Sequence, residues 1–228
     1  NGRDVTVWSA IPEELKSLSV THRHPNLPGM ELPATMHYTA DIGEACAGRD
    51  ILLFAVPSPF VRATAKKAAP YIPEGQLIVD VAKGIEDKTL MTMSEIIEDE
   101  LIVAASEDEE AAKTVQKIFS TPSFRVYTNT DRRGTELGGA VKNVIALAVG
   151  IAMGLGYGDN AKAALITRGN AELARLGAAM GCRAETFSGL SGMGDLIVTC
   201  TSMHSRNLHA GMLLGRGRTA EEAKAEVG

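Results

Sequence analysis

Several classes are excluded by what this chain lacks. Its three cysteines stand at 46, 182 and 200, with no CxxC spacing. An odd, sparse count suits a reducing cytosol better than a disulfide framework. The five histidines (22, 24, 37, 204 and 209) form no ligand pattern. His204 and His209 are five apart, wrong for one helical face, so no metal site is expected. No basic block exists; the net charge of -5 is spread along the chain. That argues against a nucleic-acid or membrane-surface partner and leaves room for a local basic pocket. There is no uninterrupted 18-residue apolar run, so no membrane span is expected. No repeat and no low-complexity linker occurs. The opening NGRDVTVW is no signal peptide and reads as a helix end followed by a strand.

What is present is a chain of 228 residues, 45% hydrophobic and 22% charged, enough for a real core in one or two domains. Its first half alternates strands and helices. Val5 to Trp8 is a short β-type run, and Pro12 with Glu13 and Glu14 opens a helix. Pro25, Pro28 and Pro33 make 22–35 a loop. Asp41 and Glu44 have capping-box spacing. Residues 51–56 (ILLFAV) and 76–81 (QLIVDV) read as strands buried on both faces. A helix of about three turns follows Pro57-Ser58-Pro59. The stretch 88–101 is amphipathic, with Leu90, Met93, Ile96 and Ile97 on one face. Further strands are expected at 102–105 and 125–128, separated by a helix that Ser106 and Glu109 cap. This alternation predicts an α/β fold with a mostly parallel, Rossmann-like sheet in residues 1–128. Ligands sit at the carboxyl ends of such strands, which marks Val56-Pro57-Ser58 and Ala82-Lys83-Gly84.

After Asn129 strand signals stop, and 129–228 reads as an all-α domain. Residues 134–153 (GTELGGAVKNVIALAVGIAM) predict a buried helix with close neighbours. Residues 161–180 predict a second, with Arg168, Glu172 and Arg175 spaced to pair. Thr219 and Glu222 cap the last. Lys142 lies in the most apolar of these helices. Its ammonium must snorkel, pair or lose its proton; the last case gives a proton donor or acceptor near neutral pH. Asn143 is about 100° round the helix from it. Gly138 and Gly139 permit close approach of a ligand or a backbone. Lys83 is either an ordinary loop lysine or a second cation at the site, and Asp195 either a helix cap or a partner for Lys142. Cys200 is expected to be a packed thiol. In 188–207 (SGLSGMGDLIVTCTSMHSRN), Ser205-Arg206-Asn207 opens a helix. It is either a plain N-terminus with a surface Arg or an anion site that Arg206 grips.

These pieces resemble one family. GTELGGAVKNVIALAVGI, ALITRGNAEL, SGLSGMGDLIVTCTSMHSRN, FRVYTNTD (124–131), AVPS (55–58) and AKGIE (82–86) are together similar to the bacterial NAD(P)-dependent glycerol-3-phosphate dehydrogenases. The resemblance covers essentially the whole chain. It implies interconversion of dihydroxyacetone phosphate and sn-glycerol 3-phosphate with NADPH or NADH, supplying glycerophospholipid synthesis in the cytoplasm. Lys142 would exchange the proton, and Lys83 would lie near nicotinamide and substrate. Asp195 would contact substrate and Lys142, and Asn143 and Thr199 would line the pocket. Ser205, Arg206 and Asn207 would hold the phosphate, with Arg206 also reaching the cofactor. Trp8, Ala10, Val56, Pro57 and Ser58 would contact the dinucleotide. Trp8-Ser9-Ala10 carries neither an acid for a ribose 2′-OH nor a base for a 2′-phosphate, so NAD against NADP stays open.

The resemblance further implies a leading strand with a GxGxxG/A loop, a GPS-x-A segment near 101–103 and helices beyond Gly228, all expected as missing pieces of a longer protein. Partners expected are a phosphorylated small molecule and, in a homodimer, a second copy. Two other classes remain as alternatives: a cofactor-binding sensor without catalysis, and a β-hydroxyacid dehydrogenase. Both lysines with Asp195 and Arg206 argue against the first, and a phosphate grip argues against the second.

Overall fold

The computed structural model describes residues 3–24, 27, 29–101, 108–122 and 124–228. The chain divides into two compact units. One comprises Asn1–Val56, Phe60–Val81 and Ile96–Ala104; the other comprises Pro57–Pro59, Ala82–Glu95 and Ala105–Gly228.

The first unit holds two parallel strand pairs. Strand β1 (Thr6–Trp8) is followed by helix α1 (Pro12–Thr21) and pairs with β2 (His37–Thr39) in the register Thr6 to His37. Pro12 sits in the first turn of α1, where its missing N–H costs nothing, and His22 ends the helix in the left-handed region. Helix α2 (Ile42–Cys46) starts at Asp41, whose carboxylate accepts from the backbone N–H of Gly43 and Glu44. The reciprocal half of the expected capping box is replaced. Glu44 accepts from Thr39 Oγ1 at 2.5 Å, and Thr39 Oγ1 accepts the Asp41 N–H at 3.0 Å. Strand β3 (Ile51–Phe54), helix α3 (Val61–Ala68) and β4 (Leu77–Asp80) form the second parallel unit, Ile51 opposite Leu77. Parallel strands joined through helices make this an α/β fold.

Some expectations are corrected. Strand β3 is not buried on both faces, since Leu53 is 49% exposed, and β4 is half-buried throughout. Strand β2 escaped the reading because three residues behind a proline-rich loop carry no readable alternation. Helix α4 (Met93–Leu101) buries Met93, Ile96 and Ile97, but Leu90 lies outside it with positive φ and is exposed. Residues 125–128 form no strand. Side chains satisfy that backbone instead: Gln116 Nε2 donates to the Val126 carbonyl at 2.7 Å, and Val126 N–H donates to Ser120 Oγ at 3.3 Å. The expected strand at 102–105, the gap near 101–103, the helix end at Asn1-Gly2 and the Ser106 cap fall wholly or partly outside the described residues. Helix α5 (Glu109–Phe119) is capped by Asp108.

The second unit is helical. It continues with α6 (Arg132–Gly154), α7 (Asp159–Ala179), α8 (Ala184–Ser188), a π-helical turn (Leu190–Gly194), α9 (Asp195–Thr201), α10 (Arg206–Gly215) and α11 (Ala220–Val227). Thr219 and Glu222 close α11 in a full capping box. Helix α6 is long and apolar enough by composition to cross a membrane, but it packs against α7, α9 and α10. Ala146 and Val149 share a core with Ile166, Leu196, Cys200 and Leu208; Leu137 shares another with Leu173, Cys182 and Phe187.

Glycine sets the closest approach. A Cβ on Gly150 would lie 2.2 Å from the Leu208 carbonyl oxygen and 2.9 Å from Gly211 Cα; on Gly154, 2.4 Å from the Met212 oxygen. Gly211 and Gly215 meet α6 equally tightly. Because the contact numbers rise together on both helices, α6 and α10 run parallel. Gly150→Ala should lower stability by about 1–3 kcal/mol in urea unfolding, although Ala is the better helix former. Unchanged or raised stability would contradict the packing.

Candidate active site

Helix α6 carries Lys142 into the second unit's interior, where its side chain is only 8% exposed. An ammonium there must be compensated. Asp195 does this, with Oδ1 in direct contact with Lys142 Nζ. The other carboxylate oxygen, Oδ2, accepts from Lys83 Nζ at 3.3 Å. One carboxylate therefore holds two lysines, one buried and one 62% exposed.

Local geometry brings Asp195 there. It is the first residue of α9, immediately after the π-helical turn. Gly138 lets the turn approach α6, since a Cβ would meet the Ser191 carbonyl oxygen at 2.7 Å. Gly192 fits against the Phe187 backbone, where a Cβ would meet the carbonyl oxygen at 2.3 Å. The close approach expected at Gly138 and Gly139 is thus, at Gly138, a backbone contact; Gly139 lies nearest the Lys83 stem, at 3.9 Å for a built Cβ. Thr199 is half-buried and donates its hydroxyl to the Asp195 carbonyl at 2.6 Å. Burial pushes the Cys200 thiol up to about 11, against the opposing charge of Lys142, so it is an inert packed group.

The remaining candidates are placed as follows. Asn143 is half-buried on α6. Ser205 caps α10 by accepting the Leu208 N–H at 3.3 Å; Arg206 and Asn207 are exposed in its first turn, and Arg206 Nη1 donates to the Gly228 carbonyl at 3.3 Å. Pro57 is exposed and Ser58 half-buried; a Cβ on Gly84 would lie 2.7 Å from Ser58 Cβ, so the two strand-end loops touch at this point. In the first unit, Trp8 Nε1 donates to the Ala40 carbonyl at 3.1 Å and Lys67 Nζ lies 5.3 Å from the Trp8 ring centroid; Ala10 is exposed and Val56 half-buried. Among the described residues no His, Cys, Asp and Glu group could hold a metal.

One cluster was missed. Asp131 accepts from Gly134 N–H at 3.0 Å, Arg183 N–H at 2.8 Å and Thr186 Oγ1 at 2.6 Å. It ties the start of α6 to α8, upstream of Asp195. The signal was an Asp immediately before a Gly-containing helix start, but residue type and spacing put that start at Gly134 instead of Arg132.

Residues 1–110 match the family model described as the NAD-dependent glycerol-3-phosphate dehydrogenase N-terminus, and 131–228 match its C-terminus. The chain belongs to the NAD-dependent glycerol-3-phosphate dehydrogenase family. It is 54% identical over 258 residues to glycerol-3-phosphate dehydrogenase (NAD(P)+) 2 of Lactobacillus delbrueckii subsp. bulgaricus, covering 100% of this chain and 77% of that protein. It is 50% identical over 252 residues to the Agathobacter rectalis glycerol-3-phosphate dehydrogenase (NAD(P)+), covering 100% and 75%. The glycerol-3-phosphate dehydrogenase crystal structure from Coxiella burnetii superposes with a TM-score of 0.90 at 31% identity, covering 100% of this chain and 77% of that one. The Plasmodium falciparum glycerol-3-phosphate dehydrogenase shares the fold at 21% identity, TM-score 0.89, covering 99% and 72%.

Burial pushes the Asp131 carboxyl up, but the bonds from Thr186, Arg183 and Gly134 outweigh it and hold the group below the usual range. A depressed folded value gives stability that is present above the unfolded value, about 3.9, and lost as pH falls through the folded one. Asp131→Asn should therefore cost about 1–3 kcal/mol at pH 7, with the gap to wild type narrowing below about pH 4. Urea titrations across pH check this; a gap independent of pH would contradict it.

Proposed function

We propose that the protein is an NAD(P)-dependent oxidoreductase that interconverts sn-glycerol 3-phosphate and dihydroxyacetone phosphate. The observation that carries this is the Asp195 carboxylate shared by buried Lys142 and exposed Lys83. In the family's reaction a hydride leaves or enters the carbon bearing the reacting oxygen, and one proton must leave or enter that oxygen. The bound nicotinamide supplies the hydride chemistry. Lys142 takes the proton from the alcohol in oxidation and returns it to the carbonyl oxygen in reduction. Asp195 orients Lys142 and stabilises its charged form. Lys83, on the exposed side of the same carboxylate, adds positive charge where negative charge develops on the oxygen. Asn143 and Thr199 line this pocket.

The phosphate end is assigned to Ser205, Arg206 and Asn207. The parallel packing of α6 and α10 supports this. Lys142 lies 150 − 142 = 8 residues before Gly150, and Arg206 lies 211 − 206 = 5 residues before Gly211. At about 1.5 Å per residue the two levels differ by about 4–5 Å along the axes. That is comparable with the reach from a carbonyl carbon to a phosphorus three bonds away. The free N–H groups of the first turn and the guanidinium suit an anion. Trp8, Ala10, Val56, Pro57 and Ser58 are assigned to the dinucleotide, NADPH or NADH, and Arg206 to both ligands. By this reading 1–128 is the dinucleotide-binding part and 129–228 the substrate part. The product serves glycerophospholipid synthesis in the cytoplasm, and a homodimer is part of the same proposal.

Lys142→Ala is expected to lower kcat about 10²–10⁴-fold while nicotinamide binding stays near normal. Absorbance at 340 nm with dihydroxyacetone phosphate reads the first and fluorescence titration the second; retained turnover sinks the assignment. Arg206→Ala should chiefly raise the KM for the phosphorylated substrate, by about tenfold or more. Unchanged constants for both substrate and cofactor would remove Arg206 from the site.

A further inference from the structure

Helix α7 turns one face inward: Ile166, Asn170, Leu173 and Gly177 are its buried residues. Three are apolar or small. Asn170 is not, yet it is only 8% exposed, and its Oδ1 is buried with no hydrogen-bond partner. An orphaned amide oxygen in a packed interior costs stability, so an apolar residue would serve packing better.

Its level in the fold says what it faces. Ile166 belongs to the core with Ala146, Val149, Leu196 and Cys200, and Leu173 to the core with Leu137 and Phe187. Asn170 lies between them on the same face, so α6 residues between Leu137 and Ala146 bracket it. Lys142 is the buried polar residue in that interval. Leu196, adjacent to Asp195, packs in the first of these cores. A Cβ on Gly169 would lie 2.7 Å from Ile145 Cγ2, which keeps α7 tight against α6 at this level.

We propose that Asn170 is a positioning residue for Lys142: its amide oxygen accepts from the protonated ammonium through one buried water. This rests on Lys142 as the proton-exchanging group. An ammonium has three donors and Asp195 takes one. A second acceptor on the opposite helix fixes the amine's direction and favours its charged form. The titratable or charged groups facing Lys142 are Asp195 and Cys200 on α9, with Lys83 on the far side of the same carboxylate. The inward faces of α7 and α10 bring no ionised group, only Ile166, Asn170, Leu173 and Gly177, and Leu208, Gly211 and Leu213.

The test uses the full-length enzyme and the alkaline limb of the pH–kcat profile for ketone reduction, a reaction that needs protonated Lys142. Removing the acceptor disfavours the charged form. Asn170→Leu and Asn170→Ala should therefore move the alkaline limb to lower pH by about one unit. Asn170→Asp should move it to higher pH. Thermal unfolding is measured alongside, so that a loss of fold is told apart from a moved limb. If the larger Leu prevents folding, the Ala variant decides. An unmoved limb in the Leu and Ala variants overturns the proposal whatever Tm does, as does a downward shift with Asp. Lys142→Ala separates the two failures. Turnover retained there defeats the proton-exchange reading itself, whereas lost turnover with an unmoved limb defeats only the role of Asn170.

Discussion

A cation on an apolar helix is the constraint around which the second unit is built. At 8% side-chain exposure Lys142 keeps little contact with solvent, so a counter-charge must reach it. Removing one member of a buried pair typically costs about 3–5 kcal/mol, because the other is left uncompensated. Asp195 is itself 28% exposed, which moderates that figure. The same opening lets the carboxylate extend to Lys83, so one carboxylate serves a buried and an exposed cation.

Bringing backbone close to α6 is what the glycines are for. Gly138 admits the turn that leads to Asp195, and Gly150 with Gly154 admits α10 against Gly211 and Gly215. Side chains at these positions would hold the neighbours off by a methyl group's width or more. The helix that by composition could sit in a bilayer is instead held by contacts on several sides. Asp131 anchors the N-terminal end of this arrangement through α8.

Much of this was legible. Lys142 stood out as a charge in an apolar run, and Asp195 as the carboxylate between glycines and an apolar segment. Caps at Thr219 and Ser205 followed from residue type and spacing. The strands were harder. Residues 125–128 have β-type composition, yet their backbone groups are met by Gln116 and Ser120. The short β2 lacks alternation. Asn170 lies within a helical motif, where one polar residue is ordinary until its burial is known.

The order of residues along the chain determined helix positions, caps, the alternation of the first half and the family to which the chain belongs. These depend on local spacing and on long contiguous motifs. Tertiary structure decided which oxygen of Asp195 meets which lysine, that α6 and α10 run parallel, and that the Asn170 amide oxygen is buried without a protein partner. Those facts join residues tens of positions apart, and pairing at such separation is set by packing and desolvation, which no local pattern encodes.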